Sequence, residues 1–282
     1  MTPTALDGAL SETVPLLLDS PHSGCTYPPD FKPILPLKAC RRAEDFQVDQ
    51  VFGDAVRQGL PLYKALFPRI YVDVNRAKSD LTPESVDGVL PFPLAPSAKA
   101  KLGKGVIWMD APPPSYTALY PEPLGADEVA RRLDACWVPY RSGLEDLVAA
   151  VREKHGVAYY LDCHSMQTVS TAMHEEGAGQ TRPHIVLSDR DGATSGLAFR
   201  QLMAEALVAE GFEVSINTPY KGADLVQTLG RPAEGVHALQ IELRRNLYMD
   251  EKALVLNDRF ADTRARVGRA LQAVAKGLAA AP

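Results

Sequence analysis

Leu161-Asp162-Cys163-His164-Ser165-Met166 ends an apolar run that begins at Val157. The same kind of stop occurs near the N-terminus, where Leu16-Leu17-Leu18 runs into Asp19-Ser20-Pro21-His22-Ser23-Gly24. Both runs are short, near-continuously apolar and followed at once by polar groups, which is the pattern of buried strands. In an open α/β sheet the carboxyl ends of such strands line the ligand crevice. Two imidazoles delivered there, each just past an aspartate, point to a metal site, because neutral imidazole is the commonest protein ligand for zinc.

Working outward, strands are expected at 14–19, 70–74, 157–162, 184–188, 212–216 and 236–243. Helical spacing fills the intervals. Val48, Val51, Phe52, Ala55 and Val56 form one apolar stripe, and Val129, Leu133, Trp137, Tyr140, Leu144, Leu147 and Val151 a longer one interrupted by Pro139. Phe260, Thr263, Val267, Leu271, Val274 and Leu278 give an amphipathic C-terminal helix. These stripes read as core faces. The expected fold is therefore α/β, a mixed but largely parallel central sheet flanked by helices. Residues 79–123, which include Pro112-Pro113-Pro114, read as an irregular excursion from a single domain spanning 1–282.

A catalytic zinc needs three protein ligands and one open position. His22 and His164 supply two. The third is expected to be a carboxylate, with Glu44, Asp45 and Asp49 as the candidates. Acidic residues at a helix start also favour the macrodipole, so capping is the competing reading for Glu44 and Asp45. The other histidines are weaker: His155 closes a helix, His174 lies in a polar loop, and His184 and His237 open strands. Cys163 adjoins His164, but in an extended segment its side chain points to the opposite face.

Leu239-Gln240-Ile241-Glu242-Leu243 alternates, so its polar side chains share one face. Glu242 near that strand's end is a candidate general base, with a structural ion pair to Arg244 or Arg245 as the alternative. In Arg69-Ile70-Tyr71-Val72-Asp73-Val74-Asn75-Arg76, Arg76 can grip a carboxylate bidentately while Asn75 adds a hydrogen bond. Arg69 can polarise an amide carbonyl or hold a second carboxylate.

Taken in order, these stretches resemble the N-formylglutamate amidohydrolase (deformylase) family. The matching segments are Asp19–Gly24, Glu44–Asp49, Arg69–Arg76, Asp162–Met166, Asn217–Gly222 and Ala238–Met249, together spanning roughly residues 14–250. The resemblance implies a zinc-exopeptidase-like (phosphorylase/hydrolase-like) architecture related to zinc carboxypeptidases. It implies Asp45 as third ligand beside His22 and His164, with zinc or another divalent transition metal such as cobalt bound. By analogy it makes Asn75 and Arg76 a carboxylate clamp, Glu242 the general base and Arg69 the carbonyl-polarising arginine. Tyr220 and Arg245, inside matching segments, join the substrate-binding set. The implied reaction is hydrolysis of an N-acyl amide, with formyl the expected acyl group, on an acidic amino acid. The chain departs from the family's histidine-degrading members at Asp45-Phe46-Gln47-Val48-Asp49, where those read Asp-Trp-His-Val-Asp.

Composition narrows the alternatives. A net charge of −5 argues against a nucleic-acid partner, and no apolar stretch approaches the roughly 20 residues of a membrane span. The start lacks the basic and apolar regions of a signal peptide, so a cytoplasmic location is expected. Cysteines 25, 40, 136 and 163 show no paired spacing and are expected to be free thiols. Two other readings stand beside the amidohydrolase: an amidase or carboxypeptidase-like enzyme on a peptide or cell-wall fragment, and a non-catalytic carboxylate-binding protein on the same scaffold.

Overall fold

Leu16, Leu17 and Leu18 are all buried. Side chains alternate along a strand, so three consecutive buried leucines require cover on both faces. The computed structural model describes residues 2–112, 114–171 and 177–280, and His174 therefore lies outside the described residues. Seven strands form one sheet: β1 (Thr4–Asp7), β2 (Leu16–Ser20), β3 (Leu62–Ala65), β4 (Ala158–Met166), β5 (Ile185–Ser188), β6 (Val214–Ile216) and β7 (Val236–Arg244). Their order is β1-β3-β2-β4-β7-β5-β6. The β2–β4, β4–β7 and β5–β6 pairs are parallel, and β5–β7 is antiparallel. The fold is thus mixed α/β with a largely parallel sheet.

Contacts divide the chain into two units. One comprises Met1–Ala5, Pro21–Phe46 and Lys64–Leu144; the other comprises Leu6–Ser20, Gln47–Tyr63 and Glu145–Pro282. The second holds β2 and β4 to β7. Helix Leu197–Ala209 packs against the C-terminal helix Phe260–Ala279, as does the short helix Gly53–Arg57. Val267, Leu271, Val274 and Leu278 recur on one face of the C-terminal helix and are buried. At Gly268 a side chain would collide with Asp54 Cβ, so glycine lets the two helices touch. Arg264 Nε, one turn away, bonds Asp54 Oδ1 at 2.6 Å.

The first unit is poorer in regular structure. Residues 79–123 contain short turns and isolated bridges such as Lys104↔Trp108 and Asp110↔Ala118. Side chains replace the missing ladders: Asp80 accepts the Ser97 N–H at 2.6 Å and the Ser97 hydroxyl at 3.0 Å. The helical stripe from 129 to 151 is observed as helix Ala126–Arg132, a π-helical turn Leu133–Trp137, and helix Val138–His155. The π turn sits immediately before Pro139, whose missing N–H and bulky ring disfavour an unbroken α ladder.

One expected strand is corrected. Residues 70–74 form turns, not a strand. The Tyr71 and Val72 N–H groups fold back onto the Pro68 carbonyl, and Asp73 N–H donates to Val106 O at 2.7 Å. Apolar run length alone does not distinguish a strand from a buried turn. β4 runs to Met166, four residues beyond expectation, so His164 sits within the strand. Glu44 and Asp45 do not start a helix either; they lie between a 3₁₀ turn, Arg41–Ala43, and helix Val48–Val51. The four cysteines are free, with Cys25 exposed and the others buried. Among the described residues no helix is long and apolar enough to cross a membrane.

Leu161 is fully buried on the central strand β4. Leu161→Ala should destabilise the protein by about 2–5 kcal/mol, the range for a large-to-small core change. Urea denaturation followed by circular dichroism checks this, and a loss below about 1 kcal/mol would contradict the burial argument.

Candidate functional site

The first unit carries His22, which follows the end of β2 by two residues. Gly24 sets its approach: a Cβ there would overlap the Phe67 carbonyl oxygen, so only glycine lets this segment lie against residues 65–67. Asp45 N–H donates to the His22 carbonyl at 3.0 Å, tying the two loops together. His22 Nδ1 stands 3.5 Å from Asp45 Oδ2. Its other nitrogen, Nε2, lies 2.7 Å from Asp73 Oδ1. Glu44 turns elsewhere, accepting the Tyr27 hydroxyl at 2.8 Å and the Arg41 guanidinium at 3.2 Å.

Asp73 is fully buried and receives four partners. Oδ1 accepts His22 and the Asn75 N–H, and Oδ2 accepts Arg69 through Nε and Nη2 and the Trp108 indole at 3.3 Å. Burial opposes its ionisation, but the charges of Arg69, then His22, together with the His22 hydrogen bond and the charge of Arg76, outweigh it. The carboxyl is held well below the usual carboxylate range. Arg69 also places Nη1 3.7 Å from Asp45 Oδ1 and lies over the Trp108 ring. The turn itself is pinned from behind. Trp137 Nε1 donates to the Arg76 carbonyl at 2.9 Å, and Arg141 donates to the Val74 carbonyl at 3.2 Å. Asn75 is buried beside them, and Arg76 Nε is buried with no hydrogen-bond partner.

The second unit carries the remaining candidates on adjacent strands. Registers pair Asp19 with Asp162 across β2–β4, and Asp162 with Gln240 and His164 with Glu242 across β4–β7. In-register neighbours point to the same face, so His164 and Glu242 project side by side near the carboxyl ends of parallel strands. His164 Nε2 lies 2.8 Å from Asp162 Oδ1, two residues back on the same face. Gln240 donates to Glu242 Oε1 at 2.9 Å and accepts the Ala223 N–H at 2.8 Å. Asp19 accepts the Tyr160 hydroxyl at 2.8 Å. Arg245 Nε donates to the Ser165 hydroxyl at 3.1 Å. Tyr220 accepts the Ser188 hydroxyl at its carbonyl, and its ring lies under Arg182. Arg244 bonds Asn246 and the Arg182 carbonyl. Cys163 points to the opposite face and is fully buried, which pushes its thiol well above the ordinary range.

His22 and Asp45 in the first unit and His164 in the second are all buried. Two histidines and a carboxylate are donors of the kind that can hold a divalent ion. Among the other described histidines, His155 reaches the Ser11 carbonyl, while His184 and His237 accept backbone N–H groups. Sequence reasoning passed over Asp73, Trp108 and Lys104. A charged residue inside the apolar run 70–74 was the available signal for Asp73, since a buried carboxylate needs partners.

The profile of the N-formylglutamate amidohydrolase family matches residues 14–249. N-formylglutamate deformylase of Pseudomonas aeruginosa is 28% identical over 85% of this chain and 84% of its own length. The deformylase of Pseudomonas putida is 26% identical over 84% and 83%. The crystal structure of N-formylglutamate amidohydrolase from Ralstonia eutropha JMP134 superimposes with a TM-score of 0.92 at 35% identity, covering 99% of both chains. Matched by that profile over most of its length, this chain belongs to the N-formylglutamate amidohydrolase family.

Proposed function

We propose that this protein hydrolyses the N-formyl amide of an acidic amino acid, N-formyl-L-glutamate or a close analogue, using one divalent ion, zinc for preference, held by His22, Asp45 and His164. The observation that carries this reading is the family match over residues 14–249, supported by the burial of all three donors. The donor chemistry fits. His22 Nε2 pairs with Asp73 Oδ1, which orients the ring with Nδ1 toward Asp45. Two nitrogens and one oxygen are a common catalytic set for zinc, and cobalt accepts the same donors.

When bound, such an ion lowers the pKa of water toward neutrality and polarises the amide carbonyl. Glu242 stands in register with His164 and removes a proton from the attacking water. Gln240, donating to Glu242 Oε1, orients that carboxylate. The water oxygen bonds to the formyl carbon, the C–N bond breaks, and Glu242 returns its proton to the leaving nitrogen. Formate and the free amino acid result. Arg69, held in place by Asp73, adds positive charge toward the developing oxyanion. Arg76 and Asn75 bind the α-carboxylate, supported by the unpartnered buried Nε of Arg76. Arg245 and Tyr220 belong to the same substrate-binding set through the matching motifs. Glu242 beside His164 favours catalysis over carboxylate binding alone. Family membership favours a small N-acyl amino acid over a peptide or cell-wall fragment.

The direct test is a hydrolysis screen of N-formyl, N-acetyl and N-succinyl amino acids with metal-reconstituted protein; activity confined to the succinyl compounds would overturn the formyl assignment. Glu242→Gln keeps size and hydrogen bonding but removes the base. It should retain metal and lose about 10²–10⁴-fold in kcat; near-wild-type turnover of the metal-loaded variant would rule out the mechanism. Asp73→Asn should weaken zinc binding by about 10–100-fold, the usual effect of removing a histidine's outer partner. Competition with a chelating dye measures this, and unchanged affinity would remove His22 from the ligand set. Arg76→Lys should raise KM, since lysine cannot make a two-pronged contact; steady-state kinetics with an unchanged KM would exclude the clamp.

A further inference from the structure

Two cations of the first unit, Arg69 and Lys104, lie against Trp108, and Arg76 is a third cation of the same unit. Arg69 lies 5.2 Å from the Trp108 ring centroid, and Lys104 Nζ lies 5.7 Å from it and 5.9 Å from the Tyr116 ring. The charge of Arg76, like that of Arg69, opposes the charge of Lys104. These three cations differ in how they are compensated. Asp73 neutralises Arg69 with two hydrogen bonds. Among the described residues, neither Lys104 Nζ nor the Arg76 guanidinium has a carboxylate oxygen within 4.0 Å. Burial, the charges of Lys99, Arg69 and Arg76, and only weak opposition from Asp110 push the Lys104 ammonium down to about 8, so it is still mainly charged at neutral pH.

A partly desolvated ammonium among other cations is unfavourable by itself. An incoming anion relieves it, and two cations that lack a carboxylate oxygen within 4.0 Å match a ligand with two carboxylates. Trp108 and Tyr116 shield the ammonium with ring faces, which attract a cation without neutralising it. We propose that Lys104 determines specificity by taking the side-chain carboxylate of a dicarboxylic N-acyl amino acid while Arg76 takes its α-carboxylate. This assignment rests on the proposed amidohydrolase reaction and names the residue that confines it to acidic substrates. The position lies in the irregular segment 79–123, where a binding residue can be presented without disturbing the sheet.

The test compares N-formyl-L-glutamate with N-formyl-L-glutamine, which has nearly the same shape and lacks the second charge. The wild-type kcat/KM ratio of the two should exceed tenfold. In Lys104→Gln that ratio should fall about 10–100-fold, the value of one hydrogen bond to a charged group, with the change in KM. Lys104→Arg should restore most of it. An unchanged ratio in Lys104→Gln, or an equal loss on both compounds, overturns the assignment. Calorimetry with the same two compounds separates this from the reaction itself. Preferential binding of the glutamate compound that Lys104→Gln abolishes, with no hydrolysis of either compound, sinks the reaction and leaves Lys104 as the selector. Hydrolysis of both compounds at equal kcat/KM by the wild type does the reverse.

Discussion

The Asp73 carboxylate is the constraint on which the first unit's chemistry depends. One buried anion orients His22, clamps Arg69, receives the Trp108 indole and closes its own turn through the Asn75 N–H. Burying a charge is costly, and it persists only because these donors outweigh the lost hydration. The sign follows from the depressed pKa. Whatever stability the ionised form contributes is complete above the ordinary carboxylate range and is lost as pH falls through the lower folded value. Replacing the carboxylate would leave Arg69 and His22 without the group that fixes their geometry.

The second unit achieves its placement by register. Parallel pairing sets Asp19, Asp162 and Gln240 in one row and His164 beside Glu242 in the next, so a one-residue slip of either strand would turn the polar row into the apolar face. The flanking leucines and the buried thiol of Cys163 resist that slip. Core packing thereby fixes the spacing of the catalytic candidates.

Much of this was legible in the chain. Abrupt ends of apolar runs marked β2 and β4, and the alternation around Glu242 marked β7, because strand periodicity survives in sequence. The Arg69–Arg76 stretch was harder. Ile70, Tyr71, Val72 and Val74 are buried as a strand would be, but the Pro68 carbonyl captures the N–H groups of Tyr71 and Val72 and makes turns. The partners that decide this lie far along the chain, at Val106, Trp137 and Arg141, and local propensity carries no trace of them. Asp73 was hidden for the same reason. Its partners His22 and Trp108 lie 51 and 35 residues away. The histidines stand beside the ends of apolar runs in the sequence, whereas the partners that make Asp73 a hub are visible only in three dimensions.

The π-helical turn at Leu133–Trp137 has a consequence for how this protein can change. An i→i+5 turn carries one more residue than the α ladder around it, so everything after it is rotated by about a quarter-turn relative to everything before. Trp137, at the end of that turn, is the residue that holds the Arg76 carbonyl. Deleting a single residue between 133 and 137 would restore a regular helix, keep its apolar composition, and swing the indole away from its acceptor. A length change in a helix, ordinarily judged by the core it disturbs, would here be felt first at a loop some sixty positions upstream.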